Sequence, residues 1–228
     1  METDLIVPFS DLSERRVGAI VTIKGPNGAE CRGRLVRIDG ETALVRAFEE
    51  LTFPSESPLS VILVQAIPKR EKMALIVQKA TELGVDRIIP CLSSRSAISQ
   101  EEGGEDKSHR WPEIARRAKE QCRRRIVPVV SPQSGFSAAI ESVCRASALK
   151  LILYEKERIG RLKDIAAANE KPDSVVVACG PEGGFTDEEV SFAAGKGFIP
   201  VRLGGRIMRS ETAALAALSI IQYAWGDL

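Results

Sequence analysis

Short apolar and β-branched runs alternate with turn residues near the start of the chain. They predict strands at residues 19–23, 31–38 and 43–48, because each run is bounded by turn signals. Asn27-Gly28 separates the first two runs and Asp39-Gly40 the last two. These dipeptides supply the positive φ angles that two-residue hairpins need. The pattern therefore predicts a small N-terminal β domain.

A stretch rich in proline and serine, residues 52–58, interrupts both strand and helix patterns. We place a domain boundary there, with a β domain at residues 1–55 and a larger domain at residues 60–228. In the larger domain, short β-branched runs alternate with helical segments. Strands are predicted at residues 61–66, 86–92, 127–131, 149–154, 174–179 and 198–203.

Helical periodicity is clearest just after the first of these strands. Apolar residues recur at the spacing of one helix face, and Gly84 follows as a C-terminal cap. The apolar positions are Met73, Ile76, Val77, Ala80 and Leu83. Because parallel neighbours need long crossovers, repeated alternation of strand and helix predicts an α/β fold with a mostly parallel sheet.

The composition is that of a globular protein, since 44% of the 228 residues are hydrophobic and can form a substantial core. No apolar stretch reaches the ~18 residues of a membrane span. The N-terminus carries Glu2 and Asp4 instead of a basic signal region. These features predict a soluble, cytoplasmic protein without a membrane partner.

Cysteine and histidine usage narrows the chemistry. The five cysteines are scattered without close pairs, which fits neither a disulfide framework nor a zinc knuckle. His109 is the only histidine of the chain, which excludes His-rich metal sites and most histidine acid–base schemes. We therefore expect no metal ion.

The net charge of +1 does not by itself indicate a polyanionic partner. The charge is nevertheless polarised locally, because seven basic residues between positions 110 and 125 face only Glu113 and Glu120. On the helix predicted there, such a run is either a solvated face or a surface that follows RNA phosphates.

A glycine-rich turn follows a late strand of the larger domain. In open parallel sheets, ligands bind beyond the carboxyl ends of the strands. The first strand runs into residues 66–70, which lack glycine, so the dinucleotide fingerprint is absent. The strand at 174–179 instead runs into residues 180–185, whose three glycines let backbone amides approach a ligand. Thr186 and Glu189 follow at capping-box spacing.

This turn differs from a phosphate loop. No Gly-Lys-Ser/Thr follows it, and the carboxylate of Glu182 would repel a triphosphate. A plain strand-to-helix turn remains an alternative. The next strand ends in a second turn, Gly204-Gly205, before a long helix that begins near Ser210. If the two strands are neighbours, the two turns would enclose a flat ligand.

Together with other segments, these turns match one known family. The further matching residues are Lys69, the run from Gln78 to Val85, Glu120-Gln121, Arg124 and Pro128. From about Gly18 to its C-terminus, the chain resembles the ribosomal RNA small subunit methyltransferase E family of the SPOUT superfamily.

The resemblance implies a SPOUT-type α/β domain with a deep trefoil knot, which general topology rules would have argued against. It also implies a homodimer with active sites at the interface. An N-terminal PUA-like β-barrel is expected to help hold RNA. Residues 1–17 are shorter than the family's usual N-terminus and lack its usual motif, so this barrel is expected to be truncated.

By the same resemblance, the chain wraps S-adenosylmethionine in a bent form. The resemblance further implies that the chain methylates N3 of a uridine in 16S ribosomal RNA, within the 30S subunit. The implied cofactor residues are Gly180, Pro181, Glu182, Gly183, Gly184, Leu203, Gly204, Ile207, Met208, Arg209, Ser210, Glu211 and Thr212. The expected RNA-binding residues are Lys69, Arg95, Arg116, Arg117, Arg123 and Arg124.

The chemistry suggests roles for a few of these residues. Uridine N3 becomes nucleophilic once its weakly acidic proton leaves, so the site needs orientation, a proton acceptor and positive charge beside the uracil anion. Arg124 and Arg209 are the candidates for the positive charge. Glu211 or Glu182 is the candidate acceptor. A carboxylate at Glu211 is also favoured by the helix dipole alone, so no base is assigned.

Two other functions stay open at this point. The fold could serve a non-catalytic RNA-binding or ribosome-assembly factor, which would bind RNA without S-adenosylmethionine. Alternatively, the glycine turns could hold the phosphate of a nucleotide cofactor, against which the missing fingerprint weighs.

Overall fold

The computed structural model describes residues 2–12, 16–69, 72–96, 108–144, 147–168 and 170–228. The chain forms two compact units. Unit 1 comprises Met1–Ser57 and Arg116–Val127, and unit 2 comprises Pro58–Ala115 and Pro128–Leu228. The division at Ser57 falls inside the proline- and serine-rich stretch, whereas the sequence did not indicate that residues 116–127 belong to unit 1.

The elements have the following bounds. The strands are β1 Thr3–Pro8, β2 Ile20–Lys24, β3 Glu30–Asp39, β4 Thr42–Glu50, β5 Ser60–Ala66, β6 Arg87–Leu92, β7 Val129–Val130, β8 Ser134–Gly135, β9 Leu149–Leu153, β10 Ser174–Cys179 and β11 Ile199–Val201. The α-helices are α1 Lys72–Glu82, α2 Trp111–Cys122, α3 Phe136–Cys144, α4 Leu162–Ala168, α5 Asp187–Gly195 and α6 Ser210–Trp225.

Unit 1 is built on a four-stranded antiparallel sheet in the order β1-β4-β3-β2. The three predicted strands are confirmed as β2, β3 and β4, and both hairpin glycines have positive φ, +83° at Gly28 and +61° at Gly40. Alternate residues such as Leu35 and Val45 point into the core and are fully buried. The sequence reading missed β1, a short Leu5-Ile6-Val7 run that pairs with β4.

Polar contacts fasten residues 116–127 to this sheet. The hydroxyl of Thr22 donates to the carbonyl oxygen of Arg123 at 3.1 Å. Arg125 Nε pairs with Glu30 Oε1 at 3.0 Å. Glu30 is buried and Arg125 is half-buried in this pair, so the stretch packs with the sheet, although its helical pattern resembles that of the larger domain.

Unit 2 is built on a seven-stranded sheet in the order β11-β9-β10-β5-β6-β7, with β8 also paired to β6. All of its strand pairs are parallel. The predicted α/β fold with a mostly parallel sheet is therefore confirmed. The six predicted strands are present, β10 with the predicted bounds and the other five with shifted ends, and β8 is an addition. Central β5 is apolar over residues 61–64 because both faces are covered, and Val61, Leu63 and Val64 are fully buried.

The helix signals of the sequence are also confirmed. Met73, Ile76 and Val77 are buried on one face of α1, and Gly84 follows that helix with φ +79°. Thr186 caps α5 in a reciprocal capping box with Glu189. None of the helices in the described ranges is long and apolar enough to cross a membrane.

Strand order decides the position of the two glycine turns. Enclosure of a flat ligand by the two turns required β10 and β11 to be neighbours. They are not neighbours, because β9 lies between them. All three strands run parallel, so their carboxyl ends meet at one edge of the sheet. The two turns therefore flank the end of β9.

Candidate cofactor pocket

A cavity of about 280 Å³ opens at this edge of the sheet in unit 2. Its wall comes from three chain segments, one after each of β9, β10 and β11. The lining residues are Leu153, Tyr154, Glu155, Gly180, Pro181, Glu182, Gly183, Gly184, Val201, Arg202, Leu203, Gly204, Gly205, Arg206, Ile207, Met208, Ser210 and Ala213. The size approaches that of small-molecule sites.

Glycines shape the wall after β10. Gly184 has φ +68° and its amide donates to the carbonyl oxygen of Pro181 at 2.9 Å, which closes a tight turn. A Cβ at Gly184 would lie 2.8 Å from Glu155 Oε2, and one at Gly180 would lie 3.1 Å from the backbone of Gly184. The turn is therefore possible only with small residues at these points.

A chain of hydrogen bonds fixes this turn to the start of α6. Fully buried Gln65, in β5, donates through Nε2 to Ser210 Oγ at 3.3 Å and to Ala66 O at 2.8 Å. Ser210 Oγ in turn donates to Gly180 O at 2.6 Å. Sequence reasoning missed Gln65, although a buried amide within an otherwise apolar strand was a visible signal.

Glu182 is held by two donors from the segment that leads into α1. The Lys69 amide donates to both carboxylate oxygens, at 3.1 and 3.0 Å, and Lys72 Nζ lies 2.9 Å from Oε1. Burial works against ionisation of Glu182, but these donors outweigh it and hold the pKa of its carboxyl below the ordinary value. Glu182 is therefore ionised at neutral pH and braces the turn.

Lys72 also reaches a second carboxylate. Its Nζ lies 3.3 Å from Glu211 Oε2, in the first turn of α6. The hydrogen bond to Glu182, together with the weaker contact to Glu211, raises the pKa of Lys72 above its ordinary value. One ammonium group thus links the walls formed after β10 and β11. No local pattern in the sequence indicated a role for Lys72.

Arg95 also supports the glycine turn, through its guanidinium group. Its NH1 donates to the carbonyl oxygens of Gly183 at 2.6 Å and Phe185 at 3.3 Å. The adjacent Ser94 amide donates to Glu189 Oε1 at 2.7 Å. A Cβ at Gly183 would lie 3.1 Å from Arg95 Cδ, so the arginine stem packs directly on the turn.

The predicted cofactor residues divide into two groups. Ten of them line the cavity, namely Gly180, Pro181, Glu182, Gly183, Gly184, Leu203, Gly204, Ile207, Met208 and Ser210. Arg209, Glu211 and Thr212 belong to the same segment but are not part of the lining. Arg209 lies exposed immediately before α6.

The part of the cavity wall that follows β9 was not predicted from the sequence. Tyr154 and Glu155 follow directly after this strand and complete the cavity. Arg202 adds support by donating from Nε and NH2 to Gly204 O at 3.0 and 2.8 Å. The strand at residues 149–154 was predicted, but its end carries no glycine and so gave no local signal.

The predicted RNA-binding residues fall in both units. Lys69 and Arg95 lie beside the glycine turn in unit 2. The other four lie in unit 1, where Arg116 pairs with Glu120 and Arg117 and Arg123 are exposed. Arg124 is 4% exposed and its NH2 pairs with Glu56 Oε2 at 2.6 Å. This arginine, also predicted to be catalytic, is thus a buried ion-pair partner within unit 1.

Comparison with known proteins defines the class. The family model described as an RNA methyltransferase domain matches residues 55–222. The chain thus carries an RNA methyltransferase domain, and the walls of the cavity lie within the matched residues.

Similarity to named relatives shows which family of RNA methyltransferases the chain belongs to. The ribosomal RNA small subunit methyltransferase E of Bacillus subtilis is 32% identical over 199 residues, covering 86% of this chain and 77% of the relative. That of Synechocystis is 35% identical over 173 residues, but the match covers only 56% of its length against 76% of this chain. The chain belongs to the ribosomal RNA small subunit methyltransferase E family, as the sequence motifs predicted.

Two solved structures resemble the whole chain. The Neisseria gonorrhoeae ribosomal RNA small subunit methyltransferase E, bound to S-adenosylmethionine, has a TM-score of 0.73 and 32% identity, covering 100% of this chain and 94% of that one. A putative methyltransferase from Legionella pneumophila, in complex with the same cofactor, has a TM-score of 0.70 and 33% identity at the same coverage.

Proposed function

We propose that this chain transfers a methyl group from S-adenosylmethionine to N3 of a uridine in 16S ribosomal RNA. The observation that carries the proposal is the glycine-walled cavity after β9, β10 and β11. It lies within the matched methyltransferase domain of a chain whose full length resembles two proteins solved with S-adenosylmethionine.

The residues of the cavity fit this cofactor. S-adenosylmethionine carries a positive sulfonium and ammonium, and the exposed Glu155 contributes a carboxylate to the lining. The carboxylate of Glu182 is already engaged by Lys69 and Lys72. The turn around Gly183 and Gly184 keeps side chains out of the space and offers backbone groups for hydrogen bonds. Residues 203–208 supply a mixed apolar and backbone wall suited to a flat adenosine.

When bound, the cofactor supplies an already activated methyl group, so the chain needs to orient the uracil, remove its N3 proton and stabilise the resulting anion. Arg209 is exposed next to the lining residue Met208, where its guanidinium can contact a uracil oxygen or the neighbouring phosphate. Glu211, 3.3 Å from Lys72, is the proposed proton acceptor. The other candidate cation, Arg124, is already neutralised by Glu56 within unit 1.

Four further features of the family form part of the proposal. They are a trefoil knot in unit 2, a PUA-like role in RNA docking for unit 1, a homodimer, and action on the 30S subunit in the cytoplasm. Ile207, in the cavity wall, and Tyr223, on α6, are 89% and 80% exposed, as a subunit interface beside the cavity would require. Light scattering of the purified chain measures the mass and tests the dimer.

The activity is tested by methyl transfer from labelled S-adenosylmethionine to 30S particles and to free 16S ribosomal RNA. Mass mapping of the product should show one added methyl group on a uridine, at N3. Cells that lack the gene should lose the same modification. An unchanged modification pattern in those cells would refute the assignment.

The cofactor site is tested with Gly183→Val. Its branched side chain must displace Arg95, whose stem would lie 3.1 Å from the new Cβ, and should abolish binding of S-adenosylmethionine in calorimetry. Gly195→Ala is a suitable control, because a Cβ there meets no atom within 4 Å and the position is outside the cavity. Salt-sensitive RNA binding by a wild type that does not bind the cofactor would instead favour a non-catalytic assembly factor.

A further inference from the structure

A second cavity, of about 420 Å³, lies in unit 1 and has no part in the proposed chemistry. Its lining carries four basic side chains, Arg32, Lys119, Arg123 and Arg124, against the carboxylates of Glu49 and Glu120. Both carboxylates are engaged by arginines: Arg32 NH1 contacts Glu49 at 3.0 Å, and Arg116 pairs with Glu120. Arg124 is also paired with Glu56, at 2.6 Å. The basic side chains, Arg116 included, still outnumber the three carboxylates, so positive charge prevails in this cavity.

One donor in the lining lacks an acceptor. Among the described residues, none provides a hydrogen-bond acceptor to the buried Nε atom of Arg32. Buried donors without a partner are destabilising and are rare in folded proteins. An oxygen-rich anion in the cavity would be attracted by the excess of positive charge, and it would satisfy this donor only once the Arg32 side chain turns towards it.

Arg123 shows independent evidence of a constrained position. Its φ of +64° is the only positive value among the described residues other than glycine, and a bulky residue adopts this region rarely. The hydroxyl of Thr22 holds its carbonyl oxygen at 3.1 Å, while its side chain is exposed at the cavity. Arg123 directly follows Cys122, the last residue of α2, and the Arg124 amide donates to the Lys119 carbonyl oxygen at 3.1 Å, so the positive φ is that of a left-handed helix C-cap.

Apolar groups form the other part of the wall. Phe48, on β4, is 40% exposed, and Ile20, on β2, is 57% exposed. Both line the cavity beside the arginines. A flat aromatic group next to several cations matches a nucleotide, because a base stacks on the ring while the phosphate meets the guanidinium groups.

We propose that the cavity lined by Arg32, Phe48 and Arg123 binds one unstacked nucleotide of single-stranded RNA. The phosphate lies against Arg32 and Arg123, and the base packs on Phe48. The identification of the ligand as RNA rests on the proposed function. The inference adds a defined subsite in unit 1, with Arg32 and Phe48 as members that the charge pattern alone did not indicate.

The experiment measures binding of a fluorescein-labelled single-stranded RNA of about ten nucleotides by anisotropy over a range of salt concentrations. Arg123→Gly is the informative variant, because glycine accepts the positive φ and the change removes the charge together with the strain. Its thermal midpoint should equal or exceed that of the wild type. RNA affinity should fall about tenfold, and the slope of log affinity against log salt should decrease by about one.

Two further variants separate the parts of the subsite. Phe48→Leu should weaken RNA binding several-fold with an unchanged salt slope, since it removes the aromatic face and no charge. Arg37→Ala removes an equivalent charge from unit 1 outside the cavity and should change neither quantity. Arg123→Asn, which also tolerates positive φ, provides a second charge-removing variant if the glycine variant fails to fold.

The outcomes distinguish this inference from the proposed function. Wild-type RNA affinity in Arg123→Gly, or an equal loss in Arg37→Ala, would overturn the subsite even if the wild type methylates 16S ribosomal RNA. Conversely, a wild type that neither binds S-adenosylmethionine nor transfers methyl groups would overturn the proposed function. The losses expected in Arg123→Gly and Phe48→Leu would still support the subsite in that case.

Discussion

Replacement of Gly184 by alanine tests whether the conformation of the glycine turn is needed for cofactor binding. The residue has φ +68°, a region that costs an alanine about 1–2 kcal/mol. The new Cβ would also lie 2.8 Å from Glu155 Oε2, but this carboxylate is exposed and can turn away. The expected loss of stability is therefore about 1–2 kcal/mol, or about 2–8 °C in the thermal midpoint.

The effect on affinity follows from the same strain. The part of the strain that the turn releases when free, and regains when S-adenosylmethionine binds, is subtracted from the binding free energy instead of from the stability. A loss of about 1–2 kcal/mol corresponds to an affinity lower by about 5- to 30-fold. Calorimetry with S-adenosylmethionine measures this quantity, and differential scanning calorimetry measures the stability.

Gly197→Ala provides the matched control. Gly197 has φ +89°, and a Cβ there meets no atom within 4 Å. It follows α5 and is not part of the cavity lining. The control should lose similar stability while binding S-adenosylmethionine as the wild type does. Unchanged affinity in Gly184→Ala, or an equal loss of affinity in Gly197→Ala, would refute the reasoning.

Three other outcomes test contacts outside this turn. Lys72→Met removes a donor that keeps the pKa of Glu182 low. The stabilisation from a lowered carboxyl pKa is present above the pKa of the unfolded state and is lost as the pH falls through the pKa of the folded state. Thermal melts from about pH 4.5 downwards should therefore depend less on pH than in the wild type, and an identical pH dependence would contradict this. Glu56→Gln removes the carboxylate that pairs with buried Arg124 and should lower the free energy of unfolding in urea by about 3 kcal/mol. A loss below about 0.5 kcal/mol would show that the pair is not stabilising. Burial raises the pKa of the Cys91 thiol to about 12. A thiol reagent at about pH 8 should therefore label Cys91 only after denaturation, which peptide mass mapping would detect. Rapid labelling of the native protein would be inconsistent with this burial.

Much of the fold could be predicted from local patterns. The hairpins at Gly28 and Gly40, the buried face of α1 and the capping box of Thr186 each depend on residues close together in the chain, and each is present. Local patterns also located the glycine turn at residues 180–184. The short strand β1 was missed because a run of three apolar residues gains its order only from pairing with β4.

The composition of the cavity depended on contacts between distant segments. The amino-acid sequence determined which strands carry glycine turns and to which family the chain belongs. Only the tertiary structure placed β9 between β10 and β11, which brings Tyr154 and Glu155 into the wall. It also placed Lys72 between Glu182 and Glu211. Side-chain periodicity shows which face of an element is buried, but not which elements become neighbours, because strand order is set by packing of the whole sheet.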